Sequence, residues 1–294
     1  MNELRRNIII SSQIGGGVEP FDINNYLTIV ALEDGLTAAL SGNTVEYCID
    51  GDENWKSLAS NTNTESINKG QTLSFRGKLS ITSRKGVGTF KISKSCDLTG
   101  NCNSILFGDD AVNNNSLSGK DYAFRYLFKN CTTIRNVSSN FLPATTLANY
   151  CYYNMFYGCT SLTTAAELPA TTLANYCYRY MFYNCTSLKT ASTLPATTLK
   201  PYCYQNMFYG CTSLTTAPEL PATTLKSDCY SYMFRGCSKL NYIKAMFTTT
   251  PSFDYTCSWV SGVASSGTFV KNKDATWNVT GEDGIPSGWT IQTA

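Results

Sequence analysis

A hexapeptide that returns at a fixed step constrains this chain more than any other feature. Leu142-Pro143-Ala144-Thr145-Thr146-Leu147 recurs at Leu168, Leu194 and Leu220, each copy 26 residues after the last. Every copy runs on to a Met-Phe pair (Met155-Phe156, Met181-Phe182, Met207-Phe208, Met233-Phe234). A Cys-x-x-Leu follows, at Cys159/Leu162, Cys185/Leu188, Cys211/Leu214 and Cys237/Leu240. A degenerate copy with Leu127-Phe128, Cys131 and Ile134 stands before them at a step of 28. A unit this short cannot bury its own apolar face, so neighbouring copies must stack and share one core.

Variation between copies separates inside from outside. The positions kept in all four full copies are Leu, Pro, Ala, Leu, Cys, Met, Phe, Cys and Leu, and these are predicted to form the core, with Phe156, Phe182, Phe208 and Phe234 in one inward column. Positions that vary are predicted to face water: Ala148, Ala174, Lys200 and Lys226 at one offset, Tyr153, Arg179, Gln205 and Ser231 at another. Pro143, Pro169, Pro195 and Pro221 are expected to end a short strand, since proline donates no ladder hydrogen bond. The Tyr-Cys-Tyr-x-x-Met-Phe stretch reads as a short helical or 3₁₀ arc.

The succession of Cys-x-x-Leu, a leucine-proline step and a tyrosine-rich segment ending in Met-Phe-x-x-Cys resembles the BspA-type leucine-rich repeats of bacterial surface proteins. The resemblance spans roughly residues 106–248, about half the chain. The family's usual step is shorter, with Ala-Phe before the cysteine, so the curvature is expected to differ. What the resemblance implies is a leucine-rich-repeat solenoid with a non-enzymatic binding or adhesion role. It brings no catalytic residue.

The flanks have a different pattern. Apolar and polar residues alternate in Tyr26-Leu27-Thr28-Ile29-Val30, Val45-Glu46-Tyr47-Cys48-Ile49, Thr72-Leu73-Ser74-Phe75 and Phe90-Lys91-Ile92, as in the short strands of a sandwich. Gly267-Thr268-Phe269-Val270 and Gly284-Ile285-Pro286-Ser287-Gly288-Trp289 read as strands covering the last repeat. The expected fold is mainly β: an attachment arm over residues 1–20, a small Ig-like β-sandwich over 21–105, the leucine-rich-repeat solenoid over 106–248 and a C-terminal β cap over 249–294.

Composition then removes function classes. The chain has no histidine, which excludes Ser-His-Asp and Cys-His nucleophile pairs and histidine-zinc sites. Twenty-three Lys and Arg against 21 Asp and Glu leave no cationic surplus for phosphates, so neither nucleic acid nor an anionic membrane surface is an expected partner. No stretch approaches the ~18 apolar residues of a membrane span, and residues 1–20 lack the apolar core of a signal peptide. Thirteen cysteines, an odd number falling in register, read as free buried thiols with no Cys-x-x-Cys knuckle for zinc. Asp50, Asp52 and Asn54 have the opening spacing of a calcium loop, but Trp55 stands where glycine is needed, so a turn is favoured. The stretch from Cys48 to Trp55 also resembles an Asp-box hairpin. Asp109-Asp110 with Asn113-Asn114-Asn115 reads as a polar loop capping the first coil. No cofactor is expected.

Two ladders are the candidate ligand-binding residues. Tyr152, Tyr178, Tyr204 and Tyr230 fall in register, followed by Tyr157, Tyr183 and Tyr209; Thr164, Thr190 and Thr216 would line a sheet face with uncharged hydroxyls. A tyrosine ladder is either packed coil on coil or offers its rings to a sugar or protein. The favoured function is a surface-displayed binding protein, a phage virion component meeting a host protein or glycan, with a bacterial cell-surface adhesin as the alternative. Its location would be the virion surface or the bacterial cell surface. An accessory carbohydrate-active enzyme is the reading of a different class, resting on the Asp-box likeness alone.

Overall fold

In a computed structural model the protein is mainly β. The structure describes residues 21–81 and 83–294; the expected attachment arm, residues 1–20, lies outside them. The first eight strands are β1 (Leu27–Ala31), β2 (Ala38–Leu40), β3 (Val45–Ile49), β4 (Lys56–Leu58), β5 (Thr72–Arg76), β6 (Phe90–Ile92), β7 (Cys96–Gly100) and β8 (Ile134–Val137). Six of them form one sheet in the order β4-β3-β5-β1-β7-β8, antiparallel except for the β7–β8 pair. The smaller β2–β6 pair packs on it through Phe75 and Phe90, whose rings meet edge to face at 5.0 Å. Alternation drives this layering, as in β7, where Cys96, Leu98 and Gly100 are buried and Asp97 and Thr99 are not.

The parallel β7–β8 pair is the point at which sheet becomes repeat. Beyond it, single parallel bridges continue the ladder from Asn136 to Thr164 to Thr190 and from Thr216 to Tyr242. Three parallel strands finish it: β9 (Tyr242–Ala245), β10 (Thr268–Lys271) and β11 (Thr290–Thr293). The strand expected before each proline is therefore a lone bridge in the central repeats. Pro143, Pro169, Pro195 and Pro221 remove a donor at the same place in every coil, so the ladder cannot run on through them, and in the fourth copy it stops at Leu220, which bridges Ala245. One hydrophobic core runs from Leu27 to Trp289, crossing the expected boundary at 105/106 without a break.

The predicted helical arc is instead a ribbon of overlapping turns. In the second coil the N–H groups of Tyr153, Met155, Tyr157 and Cys159 donate three residues back, to the carbonyls of Tyr150, Tyr152, Asn154 and Phe156. The alternate N–H groups, of Tyr152, Asn154, Phe156 and Gly158, donate instead to Cys177, Arg179, Met181 and Tyr183 of the next coil, at 2.8–3.0 Å. Every second turn carries a left-handed residue in third place: Tyr150, Asn154 and Gly158 have φ of +58, +57 and +72°. Such turns need φ > 0 there, which explains asparagine and glycine. A left-handed tyrosine costs about 1 kcal/mol, and the ring stacking described below offsets it.

Two columns of rings fill the interior. Phe90, Phe128, Phe156, Phe182, Phe208 and Phe234 stack with centroids 5.5–5.8 Å apart. Phe124, Tyr152, Tyr178, Tyr204 and Tyr230 stack beside them at 5.6–5.9 Å. Trp259 ends both, 6.3 Å from Tyr230 and 6.1 Å from Phe234.

The stack also extends past the expected limit at residue 248. Tyr230, Tyr232 and Phe234 donate to the carbonyls of Tyr255, Cys257 and Trp259 at 2.8–3.0 Å, so residues 254–262 form a further coil without the Met-Phe pair. Gly284–Trp289, expected as a strand, keeps a single bridge at Ile285 to Thr280 and then turns at Ser287–Gly288, where Pro286 and Gly288 (φ +82°) break extension; β11 begins just after it.

Replacing Phe182 by alanine should cost about 3–5 kcal/mol in denaturant melts, since rings above and below hold the gap open. A loss under about 1 kcal/mol would contradict the stacked column.

Candidate binding face

The ribbon has two sides, and they divide the tyrosines. Tyr152, Tyr178, Tyr204 and Tyr230 point inward and are 0–1% exposed. They cannot meet a ligand, and the expectation that this ladder binds one is corrected. The hydroxyls of Tyr152 and Tyr230 lack partners in the core, and the first coil has Phe124 at that place. The positions expected to face water are corrected too: Gln205 is 6% exposed and Ser231 is 0%, because the ribbon tucks them against the next coil.

Two other tyrosine columns, partly exposed, lie on the outer side of the ribbon. Tyr122, Tyr150, Tyr176 and Tyr202 occupy left-handed positions, which swings their rings outward into a stack spaced 4.5–4.8 Å. Tyr157, Tyr183 and Tyr209 stack at 4.6–4.7 Å. Arg125 lies over Tyr126 at 4.5 Å and Tyr153 at 4.8 Å; Arg179 lies over Tyr180 at 4.8 Å. Such cation–π contacts contribute about 0.5–2 kcal/mol each. Packing raises the phenol pKa of Tyr153, Tyr176 and Tyr183 chiefly by desolvation, keeping those hydroxyls protonated as donors.

A shallow groove crosses this outer side, lined by Tyr153, Asn154, Tyr157, Tyr180, Tyr183 and Asn206. It exists because neighbouring coils differ: the second left-handed position is Tyr126, Asn154, Tyr180 and Asn206 in turn. The third alternates as well, and the Asn130 side chain sits where a Cβ on Gly158 would be, as does that of Asn184 against Gly210. This two-coil alternation is visible in the sequence as Arg-Tyr-Met-Phe-Tyr-Asn against Tyr-Asn-Met-Phe-Tyr-Gly, and it was the signal for the groove.

Thr164, Thr190 and Thr216 are exposed, on the bridge ladder, so the structure separates them from the buried Tyr152 column. Asp50 accepts from the backbone N–H of Thr72 at 2.7 Å and from Gln71 Nε2 at 2.8 Å, and Asp52 from Asn54 N–H at 3.0 Å. Asp109 accepts from the Tyr26 hydroxyl at 2.9 Å and pairs with Arg76 at 3.0 Å. These carboxylates hold turns and side chains in place.

All 13 cysteines are buried free thiols. Cys131, Cys159, Cys185, Cys211 and Cys237 each donate S–H to the backbone carbonyl of the preceding phenylalanine in the stacked column, Phe90, Phe128, Phe156, Phe182 and Phe208, at 3.0–3.2 Å. The cysteine is thus a donor as well as a small filler. Burial pushes the thiols of Cys131, Cys177, Cys229 and Cys237 up to about 12, far from nucleophilic thiolates.

Tyr152→Phe removes a hydroxyl without a partner and keeps the ring, so the melting temperature should hold or rise; a fall of several degrees would mean the hydroxyl is bonded. The thiols predict alkaline sensitivity. Below pH 9 both states keep their protons; above it the unfolded chain releases them from thiols of ordinary pKa 9.0 while the fold retains them toward about 12. Stability should therefore fall as pH rises from 9 toward 12. Denaturant midpoints at pH 8 and pH 10 test this, together with thiols that titrate only after unfolding. An unchanged midpoint would place the thiols at the surface.

No family model, no curated protein and no solved structure matches the chain.

Proposed function

We propose that the chain is a non-enzymatic, surface-displayed binding protein built as a leucine-rich-repeat solenoid of the BspA type, with a β-sandwich before it and a β cap after it. The observation that carries this reading is the outer strip of stacked tyrosines running across successive coils. Tyrosine gives large contact area for two side-chain torsions, and rings already locked in a stack lose little entropy on meeting a partner. The partner is a host-surface protein or glycan. The absence of histidine from the sequence and the protonated state of the buried thiols argue on the same side, since neither leaves a ready nucleophile.

Display on a virion is the favoured setting, with residues 1–20 as the attachment arm. Its support is the core of free thiols, which suits assembly in a reducing compartment followed by lysis. A cell-surface adhesin would carry the same binding face.

The test is binding of fluorescent intact protein to a panel of bacterial and epithelial cells, compared with a variant carrying Tyr150→Asn, Tyr176→Asn and Tyr202→Asn together. Asparagine accepts the left-handed backbone, so the variant should melt like the parent. Saturable binding weakened at least about tenfold is expected, equivalent to about 1.4 kcal/mol. No binding by the parent, or equal binding by the variant, would overturn the reading.

A further inference from the structure

From the cations set among the outer tyrosines we infer a site for an acidic glycan, one that alternates a uronic acid with a neutral sugar. The inference rests on the binding-protein reading and adds a place and a ligand class to it. Arg125 and Arg179 precede the left-handed Tyr126 and Tyr180 of the first and third coils, and Tyr153 holds the same place in the second. The two guanidiniums lie 4.8 and 5.9 Å from the centre of the Tyr153 ring. Lys129 adds an ammonium to the first coil, 5.0 Å from the Tyr126 ring and 5.4 Å from the Tyr157 ring. Among the described residues the ion pairs are Lys56–Glu65, Arg76–Glu46, Arg76–Asp109 and Lys244–Glu219, and none involves these three cations. Asp121, a carboxylate of the first coil, accepts from the N–H and Nδ2 of Asn149 at 3.0 and 3.3 Å.

Stacking a guanidinium on a ring occupies its face and leaves its edge donors for a carboxylate. Arg179 donates from Nη2 to the Tyr180 hydroxyl at 3.3 Å; its Nη1 has no acceptor among the described residues and, unlike Nε, is open to solvent. Arg125 is held more firmly, by the Arg84 carbonyl at 3.0 Å and the Tyr126 hydroxyl at 2.6 Å. Cations half withdrawn from water and lacking a counter-charge gain by meeting an anion. Spacing then selects which anion. Cations in the first and third coils, with the uncharged Tyr153 and Tyr157 between them, stand two coils or about 10 Å apart. One pyranose advances a glycan by about the thickness of one coil. Carboxylates on alternate sugars therefore meet alternate coils, and the neutral sugar between them lays its C–H face on a tyrosine. Carboxylates on one face of an extended acidic peptide recur every 7 Å or so, about two residues of strand, out of step with the coils.

The repeat also supplies the variant. Gln205 holds the place of Arg179 in the next coil, so Arg179→Gln installs a side chain the ribbon already accepts. Intact protein is titrated calorimetrically with a hyaluronan hexasaccharide, which alternates glucuronate with N-acetylglucosamine. N-acetylchitohexaose is its uncharged counterpart, and decaglutamate is the acidic peptide. The hyaluronan hexasaccharide should bind, N-acetylchitohexaose at least about tenfold more weakly, and added salt should weaken the charged ligand. Arg179→Gln should lower the hexasaccharide affinity about tenfold or more. Arg179→Lys should lower it less, because the charge stays and the fork goes. The acidic-glycan site is overturned if the hyaluronan hexasaccharide does not bind, if N-acetylchitohexaose binds equally well, if Arg179→Gln binds like the parent, or if decaglutamate alone binds. Cell binding that survives Arg179→Gln but is lost with the three tyrosines of the outer stack would leave the displayed-binding reading standing and remove this site. Hyaluronan binding without cell binding would do the reverse.

Discussion

The rest of the structure depends on how the ribbon divides its backbone hydrogen bonds. Odd-numbered N–H groups of the second coil close turns within their own coil, and even-numbered ones reach to the next. Every backbone N–H of that stretch has an assigned partner, so no coil is complete without its successor. Helix would satisfy the same groups locally and leave nothing to join neighbours. Extended strand would join neighbours but could not turn through the arc. The left-handed residue at every fourth position lets one backbone do both.

From that division the side-chain columns follow. Coils held in fixed register bring like residues over like, which is why phenylalanine meets phenylalanine and tyrosine meets tyrosine along the stack. Parallel rings with centroids near 5.6 Å contribute about 0.5–1.5 kcal/mol per pair beyond their burial. The cysteines fit the same logic: a side chain small enough for the bend, with a weak donor for a carbonyl in the coil before. At the far end three tryptophans close the apolar column and still find acceptors, Trp259 Nε1 at Gly284, Trp277 Nε1 at Phe247 and Trp289 Nε1 at Ala264. At the near end the segment bearing β6 lies on the first coil, with Val87 N–H bonded to Ala123 and Phe90 N–H to Leu127.

Much of this was legible in the residues. The step of 26, the Phe182 column and the in-register thiols are read directly from the repeat, because burial keeps those positions constant. The tyrosines defeated that logic. Tyr150, Tyr152 and Tyr157 recur equally well, yet one is buried and two lie outside, since recurrence marks stacking whether it happens in the core or on the surface. The left-handed place in the turn ribbon turns Tyr150 outward while Tyr152, two residues on and without it, points inward, and a helical reading of the arc has no such places. The coil at residues 254–262 was hidden for another reason: Trp259 fills the space of a Phe, and the Leu-Pro-Ala-Thr-Thr-Leu signature is absent. The groove left its trace only in the alternation of Tyr126, Asn154, Tyr180 and Asn206.

That alternation sets the grain of the molecule. A stack of identical units can gain or lose one unit anywhere, but in the first four coils unlike neighbours are matched, Asn130 over Gly158 and Asn184 over Gly210, before Gly210, Gly236 and Gly262 stack like on like. Deleting the second coil would bring Asn130 toward Asn184 and Tyr126 toward Tyr180, crowding two large side chains where one large and one small now fit. Deleting the third would face Asn154 with Asn206 and open a flat step in place of the notch. Within those first four coils a change of length that keeps the fit comes in pairs, and the notch comes with the pair.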